Sequence, residues 1–327
     1  MSRVLSVIGV LVGVLGLALG LARGGETAPV ATVTAQADLT YVRLDNPART
    51  EVRVRSSDVV VATLTDGART AVLPGRRRTF AEPRFTRATV TSRTHVRLLP
   101  QAWRKGAEHQ PWFRPWLDRE SASTKPDVLA VANQYIDGQQ AVRNGAGLRY
   151  RGDAAFGPLS HPGATTRDEA SDFYDYLGVD WAFPDGDREK ADRRRYGAVD
   201  CSGFVRLVYG YRMGLPLLNV NEAGPGLPRR AYAMAEFAPG KVIVSNTGER
   251  ATSYDRLQPG DLVFFDISGG PQIDHAGIYL GRDSVGHHRF ISSRARANGP
   301  TLGDRGGTSL LDDGGYYSRA FRTAKRL

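Results

Sequence analysis

The sequence predicts an α+β protein, in which a small all-β unit precedes a domain that mixes helix and strand. Three observations carry this expectation. From Asp38 to about Pro100 the chain is a series of short β-type runs broken by turn residues. At Asp200-Cys201-Ser202-Gly203-Phe204-Val205 a polar loop becomes a segment whose apolar residues, Phe204, Val205, Val208 and Tyr211, recur at helical spacing. Further on, residues 262–265 and 275–281 have the short apolar or alternating pattern of strands.

Taken in order, Met1-Ser2-Arg3 precedes an uncharged apolar run over residues 4–22. A basic start, an apolar stretch and small residues at Gly20 and Ala22 read as a secretory signal. The run is also long enough to just span a membrane as a retained anchor. Residues 23–37 are small and polar, a spacer, so 1–37 are read together as signal or anchor plus spacer. Residues 38–118 form the small β-rich domain, with strands expected over 40–44, 50–55, 59–64, 70–73 and 90–99 and turns at Asp66-Gly67 and Pro74-Gly75. Arg76-Arg77-Arg78 is read as a solvated turn, and Trp103, Trp112 and Trp116 as cover for a domain seam. The second domain occupies 119–327. A helix starts at Pro126-Asp127, long loops fill 138–198 and 219–230, and the cysteine helix and the later strands follow. No internal repeat is evident.

Cys201 is the only cysteine, so it has no partner for an internal disulfide. Asp200 is placed to cap the helix, and the sulfur falls in its first turn, where free N–H groups and the helix dipole favour a thiolate. Lowering a thiol pKa from about 8.5 to about 6.5 takes roughly 2.7 kcal/mol. The dipole supplies about 0.3–1 of that, so a cationic histidine must supply most of the rest. Of the six histidines, His95, His109, His161, His275, His287 and His288, only His275 opens a strand in a fitting context. On that strand His275, Gly277 and Tyr279 share a face, and the glycine leaves room beside the imidazole.

DCSGFV followed by LQPGDLVFF and DHAGIYLG resembles the NlpC-type family of cell-wall cysteine peptidases, over about residues 120–327. The resemblance implies a papain-like fold, with the cysteine on a helix packed against a small antiparallel sheet that carries the histidine. It implies Cys201 as nucleophile, His275 as general base and a peptidoglycan stem peptide as substrate, with no cofactor and no metal. The family's third polar residue orients the imidazole from the next strand. Ser292 occupies that position here, with His288 in second place. By the same resemblance Asp200 and Ser202 help to hold a free substrate amine, although both also serve as simple helix caps. Trp181, in Gly178-Val179-Asp180-Trp181, matches an aromatic cleft wall, and Tyr196 competes for that role. An all-β unit in front of such a domain is often a wall-binding module.

The net charge is +10 and the pI near 9.9. An exported protein of that charge is drawn to anionic wall polymers. Nucleic acid is excluded as a partner because the arginines are scattered and no recognition helix or stacking sheet accompanies them. No paired Cys/His spacing suggests zinc, and no glycine-rich phosphate loop is present. The reading is a secreted, wall-associated cysteine peptidase. The alternatives are an acyltransferase or amidase on the same frame and a non-catalytic wall-binding protein.

Overall fold

The computed structural model describes residues 37–303 and 308–327. The apolar run read as a signal or anchor lies outside them. The first layer is an antiparallel meander in chain order: β1 Leu39–Leu44, β2 Arg49–Val54, β3 Val60–Thr65, β4 Thr70–Ala81 and β5 Thr89–Leu98. β4 runs further than its apolar pattern suggests. Its register with β5 slips between Pro74 and Arg78, where proline cannot donate to the ladder and the chain bulges. Arg78 is therefore not in a solvated turn: its guanidinium grips the buried Asp127 carboxylate at 2.5 and 2.6 Å.

Helix α1, Phe113–Ala122, lies on one face of this sheet. Trp103, Phe113, Trp116 and Leu117 pack there with Val52, Leu64, Leu73 and Leu99. The tryptophans thus fill the small sheet's own core and do not cover a seam. Each buried indole finds an acceptor, Trp103 Nε1 at Thr50 Oγ1 (3.1 Å) and Trp116 Nε1 at the Leu98 carbonyl (2.9 Å).

Helix α2, Val128–Ala132, begins the second unit, with Asp127 as its N-cap. The connecting region carries two small hairpins, β6 Val142–Arg143 with β7 Arg149–Arg151, and β8 Trp181–Ala182 with β9 Arg188–Glu189. Between them stands α3, Phe173–Leu177. Helix α4, Cys201–Val205, widens into π-helical turns over Arg206–Arg212, and α5 spans Ala231–Phe237. The main sheet is formed by β10 Lys241–Val244, β11 Leu262–Phe265, β12 His275–Arg282, β13 His288–Arg294, β14 Gly299–Thr301 and β15 Phe321–Arg326, the last preceded by α6 Tyr316–Ala320. Its order is β10-β15-β11-β12-β13-β14, antiparallel throughout.

Both faces of this sheet are covered. Ala276, Ile278 and Leu280 of β12 join Phe204, Val205 and Val208 of the cysteine helix on one side. Phe265, Tyr279 and Phe290 join Tyr317 and Phe321 on the other. Burial on two faces explains why β11 reads as an unbroken apolar run.

The two units share a core: Phe80, Val90 and Val96 of the meander pack with Val128, Leu262 and Leu280. Polar clamps reinforce the joint. Arg326 holds Asp261 through two 2.8 Å bonds and reaches Thr65 Oγ1 at 2.7 Å. Glu82 accepts from the Thr301 hydroxyl (2.7 Å) and from the Leu302 and Gly303 N–H groups (2.9 Å each). Gly260, at φ +95°, lies so close to Val96 that a Cβ would meet its side chain at 2.7 Å.

Candidate active site

Asp200 takes the extended N-cap conformation of α4, and its carboxylate accepts the Gly203 N–H at 2.7 Å. Gly203 lets the helix close on the preceding loop, since a Cβ there would lie 2.3 Å from the Ser171 carbonyl oxygen. The Cys201 side chain is therefore driven inward, and the residue is 2% exposed. Its sulfur contacts the Asp274 carbonyl oxygen and Glu169 Oε1, both at 3.8 Å, and receives the Ala276 N–H. The thiol thus sits at the start of β12, between the residues on either side of His275.

His275 opens β12 and is 3% exposed. Its Nε2 lies 3.0 Å from Ser292 Oγ. The register explains the contact. Ile278 faces Ile291 across the β12–β13 ladder, so Ser292 is the diagonal neighbour of His275 past Gly277, whose missing side chain opens the space. Arg294 Nε donates to the same Ser292 oxygen at 3.0 Å, and Phe265 and Tyr317 flank the ring with centroids 5.8 and 5.1 Å away. His288 is occupied elsewhere, its Nδ1 2.6 Å from the Tyr279 hydroxyl, and His287 lies 3.2 Å from Asp312.

The electrostatics differ from a preformed ion pair. Burial, with Asp200 and Glu169 nearby, pushes the Cys201 thiol well above its ordinary value. Burial and the Arg294 cation press His275 down to about 3. Both shifts favour a neutral thiol and a neutral imidazole, and no hydrogen bond joins the two among the described residues. Those directions run against the expected thiolate beside a cationic His275. A helix start contributes too little to offset that desolvation.

Asp200 and Ser202 line the cleft beside Cys201, where both also meet a cation. Arg229, partly buried, packs against both, with Nη2 2.7 Å from Asp200 Oδ2 and Nη1 2.7 Å from Ser202 Oγ. Burial alone would raise the Asp200 carboxyl, but Arg229 outweighs it and keeps the carboxyl below its ordinary value. Behind it, Arg206 meets both Asp172 oxygens at 3.0 Å and donates to the Leu218 and Leu227 carbonyls at 2.7 and 2.8 Å. This charge network holds the helix start, with Arg229 as the cation that compensates Asp200.

Two clefts meet at Glu169, whose carboxylate contacts the thiol. One, of about 330 Å³, is lined by Cys201, Glu169, Arg230, Tyr232 and Asp274. The other, of about 390 Å³, is lined by His275, Glu169, Arg167, Tyr316 and Tyr317. Glu169 is common to both. Trp181 lines neither: it packs edge-on against Phe173 (4.9 Å) and Tyr211 (6.0 Å), because its hairpin folds back on α3. Tyr232, Tyr316 and Tyr317 supply the aromatic walls instead. Glu169, Arg229 and Tyr317 escape a reading of the sequence, since no local pattern marks them and the fold alone brings them to Cys201. Among the described residues no group of three His, Cys, Asp or Glu side chains is arranged to hold a metal ion.

Residues 186–301, which contain both the thiol and the imidazole, match the sequence model of the NlpC/P60 family. Residues 186–301 thus carry the NlpC/P60 likeness that the DCSGFV and DHAGIYLG segments lead one to expect. A probable endopeptidase from Haemophilus influenzae is 28% identical over 130 residues, covering 39% of this chain and 59% of that protein. No solved structure matches the chain.

Proposed function

We propose that the protein is an extracytoplasmic cysteine endopeptidase that cleaves peptidoglycan stem peptides on a papain-like catalytic frame. Cys201 is the nucleophile, His275 the general base and Ser292 the residue that positions the imidazole. The observation that carries this reading is the placement of the thiol between Asp274 and Ala276, beside an imidazole whose far nitrogen is held by Ser292. The family match and the endopeptidase relative support it, and the N-terminal apolar run supports action outside the cytoplasm.

With both groups neutral at rest, the proton passes from sulfur to imidazole as the sulfur attacks the amide carbonyl. The tetrahedral oxyanion is met by N–H groups at the start of α4. The imidazolium then protonates the leaving amine, and water activated by neutral His275 releases the acyl group from sulfur. Cys201→Ala should abolish release of new termini from purified stem peptides, read by mass spectrometry, while the far-UV spectrum and Tm stay unchanged. Turnover at the wild-type rate by that variant would overturn the assignment.

The absence of a thiol–imidazole hydrogen bond favours one competing reading, a wall-binding protein on an inactive frame. Iodoacetamide separates the two. A catalytic pair alkylates faster than His275→Ala at neutral pH, whereas an inactive frame alkylates at the same slow rate in both.

A further inference from the structure

Past the His275-side cleft, and sharing Arg167 and Arg296 with it, the surface continues into a polar groove of about 520 Å³. Its walls carry Arg84, Arg149, Arg167 and Arg296. Two of these are balanced: Arg84 pairs with Asp137 at 2.5 Å and Arg149 with Asp153 at 2.6 Å. Among the described residues the Arg167 side chain bonds only the Gly157 carbonyl, at 2.8 Å, and Arg296 is exposed with no ion-pair partner. The groove therefore holds two guanidinium groups in excess of its carboxylates, both at the end nearest His275.

The floor is closely built. Gly299, at φ +145°, is pressed so near the Ala154 carbonyl that a Cβ would strike it, and Asn298 Oδ1 accepts the Phe156 N–H at 3.3 Å. The loops carrying Ala154 and Arg296 are thereby pinned to one another.

Direction along the cleft follows from the chemistry proposed above, on which this inference rests. His275 gives its proton to the leaving amine, so the peptide portion that departs lies on the His275 side. We propose that the arginine groove is a subsite for a carboxylate carried by that leaving portion, with Arg167 and Arg296 as its contacts. A planar guanidinium matches a carboxylate with two parallel hydrogen bonds, which a neutral amide cannot reproduce. The groove thus selects peptides whose residue after the cleaved bond has a free carboxylate, and disfavours amidated ones.

The test uses the full chain carrying Cys201→Ala and two stem-peptide fragments. These differ only in whether the residue after the bond to be cleaved bears free carboxylates or carboxamides. Calorimetry should give about tenfold tighter binding of the acid form, lost when Arg296→Gln and Arg167→Gln are combined, and reduced at high salt. Because Arg167 also supports Gly157, Arg296→Gln alone is measured too and should remove about half of the preference in logarithmic terms. Equal binding of acid and amide, no binding of either, or a preference that survives both substitutions would overturn the groove. Hydrolysis without acid preference sinks the groove alone, and acid preference in a wild-type protein that never hydrolyses sinks the endopeptidase reading alone.

Discussion

Ser292 accomplishes with a short side chain what longer polar residues would do by reach, because Gly277 removes the obstacle and Arg294 fixes the hydroxyl from behind. A neutral hydroxyl of this kind contributes about 0.5–1.5 kcal/mol, so Ser292→Ala should lower kcat/KM roughly three- to tenfold without unfolding the protein. His288→Ala, which removes a partner of Tyr279, should leave kcat/KM within about twofold in the same assay. A reversed pattern would transfer the positioning role to His288. His275 also makes stability depend on pH. Its folded form takes a proton only near pH 3, whereas an unfolded histidine does so near 6.5. Between those values the unfolded chain binds more protons. The stabilisation is therefore complete above about pH 6.5 and is lost as pH falls, by up to about 1.4 kcal/mol per unit. Urea unfolding at pH 7 and pH 5 should show a steeper loss for the wild type than for His275→Gln, and parallel losses would refute the depressed imidazole. Cys201 and His275 stand out in the sequence because a lone thiol at a helix start and a period of two along a strand are local signals, whereas the contact of Ser292 with His275 was expected from the family resemblance alone. Glu169 and Arg229 do not stand out, because each reaches Cys201 or Asp200 through contacts distant in sequence.

The cysteine helix is held by one small residue and one buried charge network. In an exposed helix Gly→Ala gains about 0.5–1 kcal/mol, but Gly203→Ala would drive a methyl group into the Ser171 carbonyl. We expect it to lower Tm and to impair activity together, which thermal unfolding and a kinetic assay can check side by side. Replacing Arg229 by Met leaves Asp200 buried without its cation, a loss of about 3–5 kcal/mol in chemical denaturation. A cost below about 1 kcal/mol would mean that Arg206 compensates for the missing charge. Helical spacing through Tyr211 marked this element correctly, yet gave no sign that it widens into π turns after Val205. β11 and β12 were legible as strands from their apolar runs. The extension of β4 was not, since Pro74 reads as a stop and the bulge that carries the strand past it depends on pairing with β5.

At the scale of the whole molecule, four of the five strands of the meander fell close to the apolar runs that marked them, and β4 ran past its own. What those runs could not reveal is that the meander shares a core with the second unit, because Val96 against Gly260 and Glu82 beneath the Leu302 and Gly303 amides join residues far apart in sequence. Residues 119–327 produced alone should therefore be poorly soluble or melt well below the full chain, having exposed Val128, Leu262 and Leu280. An unchanged Tm for that fragment would make the meander a dispensable attachment. The strand order of the main sheet carries a further consequence. β15 lies between β10 and β11, so two strands made earlier wait for a neighbour that leaves the ribosome after all of them. Until Phe321–Arg326 emerges, β11 has only β12 beside it, and the edge that β15 later fills stays open. Late, long-range pairing of this kind slows folding. The sheet that carries His275 is therefore complete only once its latest strand in sequence has paired.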